Sequence, residues 1–220
     1  SGSIRCWGFG GDYALGRGNG KLESVGDDET VAEAGDSIIY ASAPFAGLAL
    51  GDRHSCMRSE AGMVKCWGTS EAGALGYGFA NSTGGWLGPV PVGTPALALV
   101  AGGDHTCAIV EDGRIRCWGD GVALGLDGET NIGDDEPASA GGSVWLGLPV
   151  VQRAAGDRHS CALTAAGDVH CWGDGSDGVL GIGSEVSLAS PIYAAPIVVG
   201  EDVAAITAGA HHTCALTVSG

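Results

Sequence analysis

One short pattern, a cysteine followed ten residues later by Cys-Trp-Gly, recurs in register along this chain. Cys56 begins CMRSEAGMVKCWG, Cys107 begins CAIVEDGRIRCWG and Cys161 begins CALTAAGDVHCWG. A fourth copy is divided: the chain opens with SGSIRCWG and closes with HHTCALTVSG, and the two pieces joined end to start give one more unit. We therefore expect both ends of the chain to lie inside a repeat.

The period of the repeat indicates an array of similar structural units. Successive Cys-Trp-Gly cysteines are separated by 60, 51 and 54 residues. Such self-similarity is typical of chains whose units cannot bury an apolar face alone and stack on their neighbours. Repeats of about 40–50 residues, or slightly more, are typical of propeller blades with four strands each. We expect one domain over 1–220, with units at about 1–50, 51–101, 102–155 and 156–208, and with 209–220 completed by 1–8.

Within each unit the local pattern predicts β-structure. Cys161 and Leu163 alternate with polar or small residues before Ala165–Gly167, and Val169 and Cys171 alternate after it. Two short alternating runs around a glycine-containing turn are typical of a β-hairpin. Glycine, at 41 of 220 residues, is about 19% of the chain, far above ordinary usage, and its periodic placement indicates turns rather than disorder.

The third unit resembles a known repeat. The segment AAGDRHSCALTAAGDVHCWGDGSDGVLGIG, Ala154 to Gly183, is similar to the repeat of the regulator of chromosome condensation family, and NIGDDEPASAG, Asn131 to Gly141, resembles the inter-strand loop of its bacterial, cysteine-bearing branch. The resemblance covers essentially the whole chain and implies an all-β fold of the β-propeller type. The family's best-known members close with about seven blades, whereas this chain holds four blade-equivalents.

Charge limits the partners that such a protein can bind. With 10 Lys and Arg against 26 Asp and Glu, the formal net charge is −16. Nucleic acids and anionic membrane surfaces both require a positive protein surface, so we expect neither as a partner. No apolar run approaches the length of a membrane span, so we expect no membrane insertion. A signal peptide is also not visible.

All eight cysteines belong to the repeat. In a hairpin of the expected length the two members of a pair lie opposite each other and can form a bridge. We expect the pairs Cys56–Cys66, Cys107–Cys117 and Cys161–Cys171. Disulfides at this density favour an oxidising compartment, either extracellular or periplasmic.

The remaining pair, Cys6 and Cys214, allows two solutions. A bridge within one chain would join the first strand to the last and close a ring, which is the solution we expect. Alternatively, Cys214 of one chain bridges Cys6 of the next, which gives a head-to-tail polymer. The sequence leaves both open.

Two other residue types recur with the cysteines. The histidines do not have the ligand number of a metal site, so we expect them to pack beside the hairpins and bond a neighbouring loop. The tryptophans after the second cysteine are expected to pack between blades with the indole N–H on a carbonyl. These repeat-structural residues are His54, His105, His159, His212, Trp7, Trp67, Trp118 and Trp172. Trp86 and Trp145 lie instead in long loops and are the candidate binding-loop residues.

Two acidic clusters, Asp27–Glu29 and Asp134–Glu136, have oxygen atoms that could bind calcium, but their spacing is not that of a calcium loop, and we expect solvated charge and no cofactor. Asn81 begins a glycosylation sequon. No nucleophile elbow, metalloprotease sequence or phosphate loop is present, so we expect no enzyme activity. The sequence predicts a non-catalytic extracellular protein that binds a protein partner, with polymerisation into an extracellular fibre as the alternative.

Overall fold

The computed structural model describes residues 3–18, 20–37, 44–85 and 87–219, in which short β-strands alternate with turns and longer irregular loops. Its one α-helix is a single turn, α1 (Val31–Ala34), which Thr30 and Glu33 close with reciprocal capping bonds. The strands are short, and the described residues contain eleven of them. They are β1 (Phe45–Leu50), β2 (His54–Ser59), β3 (Val64–Gly68), β4 (Ala96–Ala101), β5 (His105–Val110), β6 (Ile115–Gly119), β7 (Val150–Ala155), β8 (His159–Thr164), β9 (Val169–Gly173), β10 (Val203–Gly209) and β11 (His212–Thr217).

These strands form four antiparallel sheets in chain order. Sheet 1 is β1–β2–β3, sheet 2 is β4–β5–β6 and sheet 3 is β7–β8–β9, while sheet 4 contains only β10 and β11. In each complete sheet the two hairpin strands are joined by a tight turn with a glycine at positive φ: Gly62, Gly113 and Gly167. The predicted hairpins are therefore confirmed, and the sheets repeat with the period of the sequence.

A disulfide crosses the hairpin in each complete sheet. The bridges are Cys56–Cys66, Cys107–Cys117 and Cys161–Cys171, with Cα atoms 4.1 Å apart in all three. In each case the two cysteines are direct partners in the strand register. The prediction of an all-β, propeller-type array with cross-strand disulfides is confirmed.

The fourth, outer strand of each blade is reduced to isolated bridges. The glycine of each Cys-Trp-Gly pairs with one residue of the loop that follows it: Gly68 with Thr83, Gly119 with Ile132 and Gly173 with Leu188. Gly8 makes the same pairing with Val25. The segment that opens the chain therefore pairs with its following loop in the same way as β3, β6 and β9 do.

The sheets are offset from the sequence units by one strand. Strand β1 lies at the end of the first unit, yet it pairs with β2 of the next, and β4, β7 and β10 do likewise. Each sheet also packs on the one before it, with β4 against β1 and β2, and β10 against β7 and β8. Neighbouring units are thus joined both by strand pairing and by packing of their sheets.

The apolar core lies between sheets rather than within them. The side chains of Cys56, Cys66 and Leu75 pack with Trp118 of the next sheet, and Cys107, Cys117 and Leu124 pack with Trp172. Each disulfide is therefore part of an interface. Among the described residues, no helix has the length and apolarity needed to cross a lipid bilayer.

The bridge that would close a ring within one chain is not formed. Cys6 and Cys214 are free, and within the described residues β11 is bonded to β10 alone. The segment that carries Cys6 packs instead on sheet 1, where Ile4 meets Met57 and Trp67. Within the described residues sheet 4 therefore contains two strands, and the completion of 209–220 by 1–8 stays a prediction.

Candidate functional site

Successive sheets are joined through one main-chain carbonyl per interface. The indole N–H of Trp67 donates to the carbonyl oxygen of Ala14 at 2.8 Å, and Trp118 and Trp172 donate in the same way to Ala74 and Ala123 at 2.9 Å. The three indoles are fully buried. An indole N–H buried without a partner would cost the free energy of a lost hydrogen bond, so this contact fixes the position of each sheet on the one before it.

The same carbonyls accept a second bond from a hydroxyl group. Ser55 Oγ donates to the Ala14 carbonyl oxygen at 2.9 Å, Thr106 Oγ1 to Ala74 at 3.0 Å and Ser160 Oγ to Ala123 at 3.1 Å. Both lone pairs of each carbonyl oxygen are thereby used.

Buried histidines extend these contacts along the array. His54 Nε2 is hydrogen-bonded to Thr106 Oγ1 at 2.8 Å, His105 Nε2 to Ser160 Oγ at 2.9 Å and His159 Nε2 to Thr213 Oγ1 at 2.9 Å. The partner is thus a hydroxyl group of the next sheet rather than a loop. Close backbone surrounds the rings, since a Cβ on Gly102 would meet the imidazole of His105. His212, in contrast, lies exposed at the start of β11.

Burial lowers the pKa of these histidines. The pKa of His54 falls from its usual 6.5 to about 4, and that of His105 falls to about 3, because burial disfavours the charged imidazolium and, for His105, the charge of Arg153 adds to the effect. The pKa of His159 is lowered as well, mainly by burial. At neutral pH the histidines of the interfaces are uncharged hydrogen-bonding groups.

One interface contains a buried cation. Arg153 of β7 is only 9% exposed, its guanidinium lies 5.1 Å from the centre of the Trp172 ring, and its Nη1 donates to the sulfur of Cys117 at 3.1 Å. The Nε and Nη2 atoms have no hydrogen-bond partner among the described residues. Burial lowers the pKa of Arg153 to about 9. A cation without a carboxylate partner weakens the contact between sheets 2 and 3.

At the C-terminal end of the array an interface is half complete. The carbonyl oxygen of Val179 accepts a bond from Thr213 Oγ1 at 3.1 Å, as Ala74 does from Thr106. Among the described residues, no indole N–H donates to the Val179 carbonyl oxygen as that of Trp118 does to Ala74. Val179, Leu180, Gly181, Ile197 and Thr213 line a cavity of 290 Å³, which we call the tryptophan socket.

The edge of β11 beyond the socket is exposed. Within the described residues the outward side of this strand has no partner strand, and Cys214, Ala215 and Leu216 are exposed, with Leu216 at 57%. An unpaired strand edge of this kind is a template for pairing with another strand. We call it the acceptor edge.

At the opposite end of the array the complementary half is exposed. The segment Ile4–Gly8, which we call the donor segment, keeps its outer pairing to Val25 but has no inner partner among the described residues. Its Trp7 is 64% exposed, unlike the other three tryptophans of the pattern. Burial raises the pKa of the Cys6 thiol, although a hydrogen bond from Ser37 opposes this. A cavity of 410 Å³ opens beside Cys6 and Trp7, with Leu48 and Leu50 on its other wall.

The two loop tryptophans are placed differently. Trp145 is partly exposed, and the guanidinium of Arg114 lies 5.3 Å from the centre of its ring. Trp86 lies outside the described residues. Trp145 thus remains a candidate contact residue, and it is held by a cation–π contact.

The acidic clusters lie at the surface. In each cluster three carboxylates have oxygen atoms within 4.8 Å of one another, and these are Asp27, Asp28, Glu29 and Asp134, Asp135, Glu136. The neighbouring carboxyl groups raise the pKa of Glu29 and of Glu136, in each case first through a side-chain hydrogen bond. Exposed acidic groups commonly adopt such arrangements without a metal ion, and Asn81 of the sequon is also exposed.

Several residues of the interfaces could not be identified from the sequence. Leu48, Leu99, Arg153 and Ile206 each lie six residues before the histidine of their unit, and the last three pack on the disulfide of the preceding sheet or bond to it. Because Leu, Arg and Ile differ chemically, no residue pattern marks the position, and only its constant distance from the histidine could have done so. Val179 and Gly181 were missed because their role depends on backbone atoms.

Comparisons with known proteins all point to the same repeat family. Two family models described as regulator of chromosome condensation (RCC1) repeat match the chain, one over residues 97–122 and 150–179 and the other over 166–216. Among curated proteins, the RCC1 domain-containing protein RUG3, mitochondrial, of Arabidopsis thaliana is 32% identical over 83% of this chain and 40% of its own length. The ultraviolet-B receptor UVR8 of the same plant is 28% identical over 100% of this chain and 48% of its own.

Solved structures agree on the fold. Human WBSCR16 superposes with a TM-score of 0.78 at 20% identity, over 98% of this chain and 53% of that one. Prp20p of Saccharomyces cerevisiae, a protein studied for its binding to Gsp1p and histones, superposes with a TM-score of 0.73 at 24% identity, over 99% of this chain and 51% of that one. The chain spans about half the length, or less, of the relatives that it matches.

Proposed function

Because this chain is built from repeats of the regulator of chromosome condensation family, we propose that it is a non-catalytic scaffold that binds another protein through its surface loops. The observation that carries the proposal is the contrast between rigid and variable parts. Each complete sheet holds its hairpin with a disulfide and is joined to the preceding unit by a buried tryptophan, whereas the loops between β3 and β4 and between β6 and β7 differ in length and sequence. Binding residues are commonly found on loops that a rigid scaffold positions.

Protein binding is also known for Prp20p, which has a similar fold and was studied for its binding to Gsp1p and histones. Under our proposal the partner is a protein rather than a nucleic acid, because the net charge of −16 does not favour binding to phosphate groups. An extracellular or periplasmic location is part of the proposal, and its support is the set of three disulfides, which are rare in the cytosol.

The loop between β6 and β7 is the first surface to test. It carries Trp145, whose ring is partly exposed and held by Arg114, and rigid aromatic side chains at a surface are frequent binding anchors. We expect the oxidised protein, used as bait on the secreted or periplasmic fraction of its source cells, to retain a partner whose purified form binds directly.

The change Trp145→Ala should weaken that direct binding by at least about tenfold. The matched control is Tyr193→Ala, a change at an exposed aromatic residue of a different loop. Equal binding by both variants and the unchanged protein would remove the loop between β6 and β7 from the proposal. Recovery of the native chain only from the cytosol with reduced cysteines would contradict the location.

A second function, self-assembly head to tail, is favoured by a separate observation. The free cysteines Cys6 and Cys214 lie on opposite half-blades that remain unpaired in the structure. Gel filtration of the oxidised chain with and without reductant tests this function, because assembly predicts multimers that dissociate on reduction, and a monomer under both conditions contradicts it.

A further inference from the structure

We propose that the interface between sheets 2 and 3 contains a binding site for a primary carboxamide, which the main chain of Arg153 recognises through its N–H and C=O groups. The ligand is a small free amide or the side-chain amide of an Asn or Gln residue that a partner presents. Sheets 2 and 3 each have three strands in this chain. The site lies apart from the loops of the proposed function and does not depend on that function.

An internal carboxamide is already bound at the next interface, between sheets 3 and 4. The side-chain Nε2 of Gln152 in β7 donates to the carbonyl oxygen of Ile206 at 3.0 Å, and the main-chain N–H of Ile206 donates to Gln152 Oε1 at 2.9 Å. One primary amide satisfies both main-chain groups, because it has a donor and an acceptor side by side. This pair is a template inside the molecule for the recognition of an amide by a strand.

At the interface between sheets 2 and 3, the position of the carboxamide is taken by a much smaller side chain. Counted back from the histidine of each unit, Arg153 occupies the position of Ile206 and Ala98 occupies the position of Gln152. Strand β4 contacts β7 as β7 contacts β10. Because the side chain of Ala98 is a methyl group, it cannot supply the two hydrogen bonds that Gln152 makes.

The strand register directs the N–H and C=O groups of Arg153 away from its own sheet. The Gly156 N–H donates to the His159 carbonyl oxygen at 2.9 Å, which fixes the bonded pairs of β7 and β8. Bonded and non-bonded pairs alternate along an antiparallel ladder, and Arg153 opposite Ala162 falls on a non-bonded pair. Since β7 is the first strand of its sheet, both groups lie on a free edge, as those of Ile206 do on β10.

A cavity of 190 Å³ lies at this free edge. Ala98 and Leu99 of β4 line it together with Val151 and Arg153 of β7 and Ile109 of β5. Since a molecule of liquid water takes up about 30 Å³, the cavity has room for about six waters, and therefore for a carboxamide with a short alkyl group. Ala98 is exposed, so the cavity can be reached from solvent.

The lining of the cavity favours a neutral ligand that has both a donor and an acceptor. The one charged residue among the described residues that line it is Arg153, whose buried Nε and Nη2 are unpaired, so an ammonium group is repelled. An ionised carboxylate has acceptors only, so it leaves the Arg153 carbonyl oxygen without a donor and adds the cost of removing a charge from water. A primary carboxamide bonds to both main-chain groups, and its alkyl part contacts Leu99 and Val151.

Hydrogen exchange tests the site without an added ligand. NMR measures the exchange of single main-chain N–H groups in the oxidised 220-residue chain. We expect Ala98→Gln to bring a carboxamide into the cavity and to slow the exchange of the Arg153 N–H by about tenfold. Ala98→Met adds a side chain of similar length without an amide and should leave this rate nearly unchanged. Equal rates in the two variants would overturn the recognition of an amide.

The reverse change checks the template. Gln152→Met removes the internal carboxamide, so the N–H of Ile206 should exchange about tenfold faster than in the unchanged chain. An unchanged rate at Ile206 would mean that the side-chain amide does not hold the strand edge in solution, and it would overturn the proposal at its starting point.

Titration with propanamide tests the site with an external ligand. We expect a saturable shift of the main-chain NMR resonances of Arg153 in the unchanged chain and none in Ala98→Gln, whose own amide fills the cavity. Leu97→Gln is the matched control, because it adds the same amide at an exposed neighbouring position that does not line the cavity, and it should bind like the unchanged chain. Propanoate has the same size but only acceptors, and it should bind about tenfold more weakly. Equal binding of propanoate, or of propanamide to Ala98→Gln, would overturn the proposal.

Two tripeptides distinguish the sources of the amide. Tighter binding of Gly-Gln-Gly than of propanamide, with weaker binding of Gly-Glu-Gly, supports a side chain that a partner presents. Binding of propanamide without Gly-Gln-Gly supports a small free amide. If neither ligand shifts the Arg153 resonances of the folded chain at any concentration, the site is overturned, and the loop-binding function is unaffected by that result.

Discussion

At the scale of the residue, Arg153 departs most from the pattern of the repeat. The same position holds Leu99 in sheet 2 and Ile206 in sheet 4, where an aliphatic side chain packs on the preceding disulfide. Arg153 instead buries a guanidinium whose Nε and Nη2 are unpaired. Its stacking on Trp172 and its contact with the sulfur of Cys117 offset only part of the cost of removing a cation from water.

The change Arg153→Leu should therefore raise the free energy of unfolding, by about 1–3 kcal/mol. Urea titration with the disulfides intact measures the effect. Arg158→Leu, which removes exposed ion pairs to Asp120 and Asp174, should change the stability by less than about 1 kcal/mol. A large loss of stability in Arg153→Leu would mean that the buried cation has a partner that stabilises it.

The buried histidines predict how stability depends on pH. Their pKa values in the folded state lie below the usual 6.5, at about 4 for His54 and about 3 for His105, so the unfolded chain binds more protons between these values. Their contribution is complete above about pH 6.5 and is lost progressively as the pH falls toward 4 and then 3. Urea midpoints measured from pH 7 to pH 4 should decline over this window.

The variant His105→Gln isolates one of these groups. Glutamine keeps a hydrogen-bonding side chain beside Ser160 but does not titrate, so the decline of stability between pH 6.5 and pH 4 should be shallower than in the unchanged protein. His211→Gln changes an exposed histidine and serves as the control. An equally steep decline in His105→Gln would contradict an uncharged His105 in the folded state.

At the scale of the element, the hairpins could be predicted from the sequence and the sheets could not. Alternating residues around a turn glycine, with cysteines ten residues apart, define each hairpin locally. The third strand of each sheet comes from the preceding unit, and its sequences, FAGLAL in β1 and VVQRAA in β7, share no pattern. Carbonyl acceptors such as that of Ala74 have no residue signature at all, because any residue type supplies them.

Each hairpin disulfide should stabilise the array by restricting the unfolded chain. Replacing one pair by Cys107→Ala and Cys117→Ala should lower the free energy of unfolding by about 2–3 kcal/mol, as expected for a loop closed by cysteines ten residues apart. Chemical unfolding under non-reducing conditions measures the loss. The exposed Cys214 makes no bridge within the chain, so Cys214→Ser should leave the stability of the monomer within about 0.5 kcal/mol.

At the scale of the whole molecule, the array is three complete blades with half a blade at each end. That division was visible in the sequence, since the two halves of a unit lie at the two ends of the chain. Whether they meet was not visible. The rotation from one sheet to the next depends on side chains packed between distant segments, such as Trp118 against Leu75, and local patterns do not encode it.

Head-to-tail assembly makes thermal stability depend on protein concentration. In a variant with Cys6→Ser and Cys214→Ser, which keeps the three hairpin disulfides but cannot form the bridge between chains, the unfolding midpoint should rise at the highest concentrations, because association stabilises the folded state. The midpoint should not change over the same range when Trp7→Ala is added to this variant. Calorimetry at concentrations that differ a hundredfold makes the comparison, and an unchanged midpoint for both proteins would speak against association.

The bond that orients each sheet ends on the main chain, at Ala14, Ala74, Ala123 and, in the half-built interface, Val179. An acceptor of this kind survives any substitution of its own residue that preserves the backbone. Copies of the unit can therefore diverge in their loops, be duplicated or exchange places in a gene while each still fits the next. Evolution can lengthen, shorten or recombine such a chain while the hydrogen bonds between its units are retained.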